Sequence, residues 1–257
     1  MTFDESVPGL ATLFGDIGRE LAVHDKTASA LAAVAETSVL RVPGAEWASV
    51  TRGRDGSFET VASTDPAAVR ADSIQYELGA GPCVDAILRQ TVFRIADLAF
   101  DPRWPDFGRR AVDTVGVRSM LSFRLFLEDE DLQAAGLNLY STRTDAFDDT
   151  AQTIGTLMAT HGALAISAAA ARERAAHLQR AMLTNREIGV AMGVLMNQHK
   201  VTRRQAFDLL RVASQNTNRK LADIAVKVGD TGILDLPGHT AAARRSPRSA
   251  PPRHDSQ

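Results

Sequence analysis

Apolar residues recur every three or four positions over residues 10–40, which predicts an amphipathic helix. The side chains on its apolar stripe are Leu21, Ala28, Leu31, Val34 and Ala35. Pro43 and Gly44 follow the stripe, and both residue types end helices. The pattern therefore predicts a single helix that ends just before Pro43.

Four short runs after this helix have the apolar and polar pattern of β-strands. They cover residues 47–51, 58–64, 117–127 and 135–142. Asp55 and Gly56 separate the first two runs and are typical of a hairpin turn. Two hairpins with helices between them, and no regular strand–helix–strand repeat, predict an α+β fold in which helices cover an antiparallel sheet.

Residues 154–186 contain no proline and no turn signal, and their apolar positions are spaced alternately by four and three. This spacing is typical of a coiled-coil seam and predicts a connecting helix that forms a parallel homodimer. A single amphipathic helix that packs on its own domain explains the same pattern. The predicted seam consists of Leu157, His161, Leu164, Ala168, Ala171, Ala175, Leu178, Met182 and Asn185.

Three helices are predicted near the C-terminal end, over residues 185–200, 203–214 and 219–229. Thr202 and Gln205 have the spacing of a capping box, while Asn218 and Gly229 are the predicted N-cap and C-cap of the third helix. Gly193 lies within a helix, where glycine costs about 1 kcal/mol relative to alanine, so we expect it to have a packing role. Small residues are expected in the core of this module: Ala191, Gly193, Ala206, Ala213 and Ala225.

The charge is unevenly distributed along the 257 residues. The net charge is −2 overall, but it is −10 over residues 1–171 and +6 over residues 172–230. An acidic body followed by a small basic module predicts two separate functions, the second directed at a polyanion. A basic face that is merely solvated is the alternative.

The overall composition is that of a soluble globular protein, with 44% hydrophobic and 23% charged residues. A single cysteine excludes an internal disulfide framework. The N-terminus has no signal-peptide pattern, and no run approaches about 18 consecutive apolar residues, so we expect no membrane span. A cytoplasmic protein is therefore predicted.

The basic module carries the side chains expected to contact nucleic acid. Lysine and arginine suit phosphates, and asparagine and glutamine suit base edges. Phe207 is the only aromatic residue of residues 185–230, which disfavours stacking on a single strand and favours recognition of a folded shape. The candidate contact residues are Asn197, Gln198, Lys200, Arg203, Arg204, Arg211, Asn218, Arg219 and Lys220.

Cys83 follows the sequence Gly-Ala-Gly-Pro at residues 79–82, at the start of a predicted helix over residues 83–89. No complete nucleotide-binding glycine motif is present. A helix N-terminus can lower the pKa of a thiol, so Cys83 is a candidate sensor residue, although free cysteines are more often buried and structural. No pattern of catalytic or metal-binding residues is found, so we expect neither an enzyme nor a metal site, and no cofactor is assigned.

Residues 20–170 resemble GAF sensor domains of actinobacterial regulators, and residues 1–19 then form an N-terminal segment. The motifs that carry the resemblance are EWASVT, ADSIQYELGAGPCVDAI, RIADLAFDPRWPDF, VRSMLSFRL and LNLYS. The resemblance implies a six-stranded antiparallel sheet with helices, often with a pocket. It also implies a small-molecule ligand or a signalling protein as the partner.

Residues 178–234 resemble the ANTAR domain of transcription antitermination regulators. The matching positions lie in IGVAMGVLM and TRRQAFDLLRVASQNTNRKLADIA and include Leu210 and Leu221. The resemblance implies a three-helix RNA-binding module that recognises paired stem-loops in nascent mRNA, usually as a dimer. The remaining residues 236–257 are rich in proline, arginine, serine and alanine and are predicted to be disordered.

The sequence thus predicts a homodimeric RNA-binding antitermination regulator controlled by a GAF-like domain. Three alternatives remain open. The turn predicted at residues 215–218 resembles that of a helix-turn-helix DNA-binding repressor. Cys83 would suit a small-molecule or redox sensor that acts through protein partners. The basic face would be incidental in a dimer that only binds other proteins.

Overall fold

The computed structural model describes residues 7–54, 56–89, 92–127 and 134–235. Within them the chain forms eight helices and five strands and divides into two compact units, Met1–Ala175 and Ala176–Gln257. The predicted disordered tail, residues 236–257, lies outside the described residues. The elements in chain order are α1 (Val7–Ala22), α2 (Thr27–Arg41), β1 (Trp47–Arg54), β2 (Ser57–Ser63), α3 (Pro66–Leu78), α4 (Pro82–Arg89), β3 (Phe93–Ile95), α5 (Pro105–Val115), β4 (Ser119–Leu125), β5 (Ala134–Ser141), α6 (Asp149–His199), α7 (Arg203–Thr217) and α8 (Leu221–Thr231).

The described strands form one antiparallel sheet in the order β2-β1-β5-β4-β3. Both predicted hairpins are present, and the α+β fold class is confirmed. The implied number of six strands is wrong for the described residues, which contain five strands. The short β3 is not predicted by alternation, because a three-residue strand has too few positions to show a period.

Helices cover both faces of the sheet because successive side chains of a strand point to opposite sides. Leu121 and Phe123 of β4 join α1, α2 and α6 in one apolar core, whereas Met120 of the same strand joins α3, α4 and α5 in a second core. Ile17 of α1 is fully buried in the first core. The expected N-terminal segment, residues 1–19, therefore contributes Ile17 to the core of the first compact unit (the sensor unit, Met1–Ala175).

The single helix predicted over residues 10–40 is instead two helices, α1 and α2, separated at residues 23–26. The break is held by α6, in which Arg172 donates to the His24 carbonyl oxygen at 2.9 Å. The backbone N–H and hydroxyl of Thr27 donate to the Glu173 carboxylate at 3.2 and 2.9 Å. These contacts are far apart in sequence, and the apolar spacing of the helices continues across the break.

Helix α6 is a single continuous helix of 51 residues. It is the one described helix that is long and apolar enough to cross a membrane, with a mean hydropathy of 1.4 in its most apolar window. Sixty-one per cent of that window is buried within the protein. The apolar segment is therefore mostly buried by the rest of the protein.

In the second unit, the end of α6 packs with α7 and α8 around Leu195, Leu210, Ile224 and Val228. The predicted Thr202–Gln205 capping box is present at the start of α7. The predicted caps of the third helix are wrong. Asn218 is the C-cap of α7, and α8 continues past Gly229 to Thr231, with Gly232 as its C-cap at a φ of 70°.

Candidate functional site

All nine residues predicted to contact nucleic acid are exposed in the second unit. They occupy the end of α6, the length of α7 and the turn before α8. Because α7 has 15 residues, its two ends are about 20 Å apart. The candidate residues therefore form two groups, one at each end of α7, with Arg211 between them.

The first group surrounds the turn between α6 and α7. Lys200 adopts the left-handed conformation with a φ of 54° and ends α6 there. Its Nζ lies 3.4 Å from Oδ1 of Asn197. The Thr202 side chain then caps α7, which places Arg203 and Arg204 in the exposed first turn. The capping box thus fixes the backbone that carries two neighbouring guanidinium groups.

The second group lies at the other end of α7. Asn218 has a φ of 51°, a conformation that asparagine tolerates better than most residues, and its N–H donates to the Ser214 carbonyl oxygen. The Ser214 hydroxyl donates to the carbonyl oxygen of Arg219 at 2.6 Å. The observed role of Asn218 is therefore to shape the turn that presents Arg219 and Lys220.

The cations of this unit differ in whether they have an anionic partner. Arg211 pairs with Asp208 at 3.2 Å, one turn earlier on α7, and Lys227 pairs with Asp235. Within the described part of the chain, no carboxylate lies within 4 Å of the other cations of residues 200–227. The described cations without a carboxylate partner are Lys200, Arg203, Arg204, Arg219 and Lys220.

The small residues expected in the core of this module are placed in two ways. Ala191, Ala206, Ala213 and Ala225 have no exposed surface, and their small size brings the three helices close together. Gly193 differs, because it is exposed and a Cβ added to it would meet nothing within 4 Å. Gly193 therefore does not belong to the core, and among the described residues nothing packs closely against it.

Most of the predicted dimer seam on α6 is exposed. Leu164, Leu178 and Met182 are 64%, 65% and 65% exposed, and Ala168, Ala171 and Ala175 are exposed as well. The first two seam positions are different. Leu157 packs against the core of the sensor unit, and the His161 ring lies 4.1 Å from the ring of Phe14 on α1. The exposed part of the predicted dimer seam thus begins at Leu164.

Cys83 lies in the second core of the sensor unit and has no exposed surface. Its thiol donates to the Thr51 hydroxyl at 3.3 Å and accepts from the Asn138 amide at 3.0 Å. Burial, together with the nearby charge of Asp72, raises the pKa of the thiol to about 12. The complete burial of Cys83 agrees with its interpretation as a structural cysteine, because desolvation disfavours the charged thiolate.

The centre of this polar cluster is Asp72 on α3, which sequence reasoning missed. The carboxylate is fully buried and accepts from Thr60 at 2.8 Å, from Asn138 at 3.1 Å and from the Tyr140 hydroxyl. Burial raises the pKa of this carboxyl to about 6, although the hydrogen bonds oppose the shift. Asp72 shares α3 with several buried alanines, and no local signal separates it from a solvated aspartate.

Comparisons with known proteins identify both units. The family model of the GAF domain matches residues 25–167, and that of the ANTAR domain matches residues 176–228. The chain belongs to the GAF and ANTAR domain-containing regulators. The ANTAR domain marks it as an RNA-binding antitermination regulator, and the GAF domain is its sensory part. A search of the curated proteins finds no match.

Several solved structures are similar to part of this regulator. A GAF domain of a phosphoenolpyruvate-protein phosphotransferase from Coxiella burnetii is 17% identical, with 64% of this chain and 96% of that chain covered and a TM-score of 0.48. The free methionine-R-sulfoxide reductase of Neisseria meningitidis is 16% identical, with coverages of 68% and 98% and a TM-score of 0.47. The phytochrome photosensory core module of Stigmatella aurantiaca is 13% identical, with coverages of 88% and 47% and a TM-score of 0.54.

Some of these neighbours are enzymes, whereas both domains matched in this chain are regulatory. Sequence identities this low do not assign the activity of these proteins to this chain. Among the residues that the structure describes, no group of three or more His, Cys, Asp and Glu side chains is arranged to hold a metal ion.

Proposed function

We propose that this protein is a cytoplasmic homodimer whose two ANTAR domains bind a pair of stem-loops in nascent mRNA and so prevent formation of a terminator. The GAF domain controls this binding in response to a small molecule or a signalling protein. The observation that carries the proposal is the set of five exposed cations without carboxylate partners at the two ends of α7.

The spacing of these cations supports contact with a folded RNA. Two basic groups about 20 Å apart can reach phosphates on different turns or strands of a helical stem, as recognition by shape requires. Among the described residues, no carboxylate is paired with Arg203, Arg204, Arg219 or Lys220 that RNA would have to displace. Arg211 is already paired with Asp208, so we expect it to contribute less to RNA binding than Arg203 or Arg204 does.

The exposed stripe of α6 supports the homodimer. Leu164, Leu178 and Met182 expose about two thirds of their side chains at heptad spacing, which is costly unless another apolar surface covers them. A second copy of the same helix provides a matching stripe. The dimer would bring two ANTAR domains to one RNA, and the second stem-loop would then bind at a high effective concentration.

The continuity of α6, which begins in the sensory unit and ends in the RNA-binding unit, supports the proposed control by the GAF domain. A signal acts here only if it binds one arrangement of the dimer more tightly than another. The proposed mechanism is therefore a shift between populations of the dimer and involves no chemical step.

A transcription assay in vitro tests this function. A template with two stem-loops before a terminator should give more full-length transcript when the protein is present, and a template with one stem-loop should not. A double charge reversal, Arg203→Glu with Arg204→Glu, should abolish the increase. Tighter binding to a palindromic DNA duplex would support a repressor instead, and an unchanged activity of the variant would support a protein-interaction module.

A further inference from the structure

Three residues connect α7 to α8, and the two outer ones are fixed by the helix ends. Asn218 is the C-cap of α7, and its N–H donates to the Ser214 carbonyl oxygen. Lys220 is the N-cap of α8, and its carbonyl oxygen accepts hydrogen bonds from N–H groups in the first turn of α8. Arg219 lies between the two caps and belongs to neither helix. The regular hydrogen bonds of a helix therefore do not set its backbone conformation.

Ser214, in the last turn of α7, binds both backbone polar groups of Arg219. Its hydroxyl donates to the Arg219 carbonyl oxygen at 2.6 Å, which is within the normal range for a hydrogen bond between oxygens. Its own carbonyl oxygen accepts from the Arg219 N–H at 3.3 Å. A single side chain that was not among the predicted contact residues thus holds the backbone of one that was.

The conformation of this turn affects whether the Arg219 guanidinium is available to a ligand. Arg219 borders an open groove along α8 that Asp223 and Asp230 also line. Within the described part of the chain, no carboxylate lies within 4 Å of the Arg219 guanidinium. A turn with more freedom would let the guanidinium pair with one of these two carboxylates. RNA would then have to break that ion pair before a phosphate could bind.

We propose that Ser214 is a positioning residue for RNA binding. Its hydroxyl holds the Arg219 backbone, so that the guanidinium is presented to a phosphate before RNA arrives. A contacting group that is already ordered loses less conformational freedom on binding, and the affinity is higher for that reason. The inference rests on the proposed function, since it requires Arg219 to contact RNA, while Ser214 acts only through Arg219.

Binding of the full-length protein to a fluorescently labelled RNA with two tandem stem-loops tests the proposal. Ser214→Ala should weaken binding about fivefold, as expected when one long side chain must be ordered on binding. Ser214→Thr keeps the hydroxyl and should bind as the wild type does. Arg219→Gln should weaken binding about tenfold, because it removes a phosphate contact.

A double-mutant cycle separates positioning from a general effect on the stability of α7. If Ser214 acts through Arg219, Ser214→Ala should have no further effect on affinity once Arg219→Gln is present. If Ser214 only stabilises the helix, its replacement should weaken binding by the same factor in both backgrounds. That second result would overturn the proposal.

Thr217→Val is the matched control for Ser214→Ala. The Thr217 hydroxyl also donates to a carbonyl oxygen in the last part of α7, that of Ala213 at 2.7 Å, but this bond lies within the helix. The control should bind RNA as the wild type does, and equal weakening by both changes would overturn the proposal. Wild-type affinity of Ser214→Ala, beside weakened binding by Arg219→Gln, would contradict this inference alone. Absence of RNA binding by the wild type would contradict the proposed function as well.

Discussion

The side-chain amide of Asn138 donates to the Asp72 carboxylate at 3.1 Å, and neither residue exposes any surface. Asn138 lies on β5 and Asp72 on α3, so the bond ties the sheet to the helix layer that covers it. Thr60 and Tyr140 also donate to this carboxylate. The hydrogen bonds hold a negative charge inside the domain, but they do not fully offset the loss of water around it.

We expect the stability of the GAF domain to fall as the pH rises from 4 to 7. The Asp72 carboxyl has a pKa of about 6 when folded and about 3.8 when unfolded, so the folded state binds the proton more tightly. This contribution is fully present below the unfolded pKa and is lost as the pH rises through 6. The loss amounts to roughly 3 kcal/mol in the free energy of unfolding.

Urea unfolding followed by tryptophan fluorescence measures this effect, because Trp47 and Trp104 both lie in the sensory unit. The control is Asp72→Asn, which has no charge to lose. Other groups titrate in both proteins, so the decisive quantity is the difference between wild type and variant at each pH. A difference that stays constant from pH 4 to pH 7 would show that Asp72 is not the group responsible.

Cys83 should be inert in the folded protein. Its thiol is fully buried and its raised pKa keeps it protonated at neutral pH, while the thiolate is the reactive form. We expect iodoacetamide to label native protein at least a hundredfold more slowly than protein unfolded in urea. Rapid labelling of the native protein would instead revive the redox-sensor alternative.

The seam on α6 can be tested with two neighbouring alanines. Ala175 lies on the predicted seam and Ala176 lies beside it, and both are exposed in the described chain. Ala175→Glu should place like charges at the interface and weaken the dimer at least tenfold, whereas Ala176→Glu should leave it unchanged. Sedimentation velocity over a range of protein concentrations measures the dimerisation of both variants. Equal association of the two variants would place the dimer contact elsewhere.

The capping box at the start of α7 should contribute to the stability of the RNA-binding unit. The Thr202 N–H donates to the Gln205 side chain at 2.9 Å, and the Gln205 N–H donates back to the Thr202 hydroxyl at 3.4 Å. Thr202→Ala should cost about 1 kcal/mol, and Thr202→Ser only a few tenths. Amide hydrogen exchange in α7 reports the change, and similar protection in both variants would mean that the cap is not significant.

The elements with a strong local period were predictable from the sequence. The two hairpins and the long helix follow from alternation, from a turn signal or from heptad spacing. The capping box was predictable for the same reason, because residues three apart meet at a helix N-terminus. The pair of Asp208 and Arg211 was overlooked, although its spacing on a helix gave the signal.

The features that the sequence did not predict depend mainly on contacts between distant parts of the chain. The break between α1 and α2 depends on Glu173, which is 146 residues from Thr27. The pKa of Cys83 likewise could not be read from its local sequence, because burial by other elements raises it. Helix α7 ends at Thr217, three residues beyond the predicted end, where Asn218 adopts the left-handed conformation. Asparagine is common both as an N-cap and as a C-cap, so its residue type alone does not say which helix it caps.

The central claim is that the unpaired cations of the ANTAR domain bind a paired stem-loop RNA. The most direct test is a salt series of binding by the full-length protein to a tandem stem-loop RNA, a single stem-loop and a DNA duplex of equal charge. We predict preference for the tandem RNA, with affinity falling steeply as salt rises. Arg204→Glu with Arg219→Glu should reduce both affinity and salt dependence, while Lys227→Glu, at a cation already paired with Asp235, should have a smaller effect. Equal binding of RNA and DNA, or equal effects of the two changes, would contradict this account.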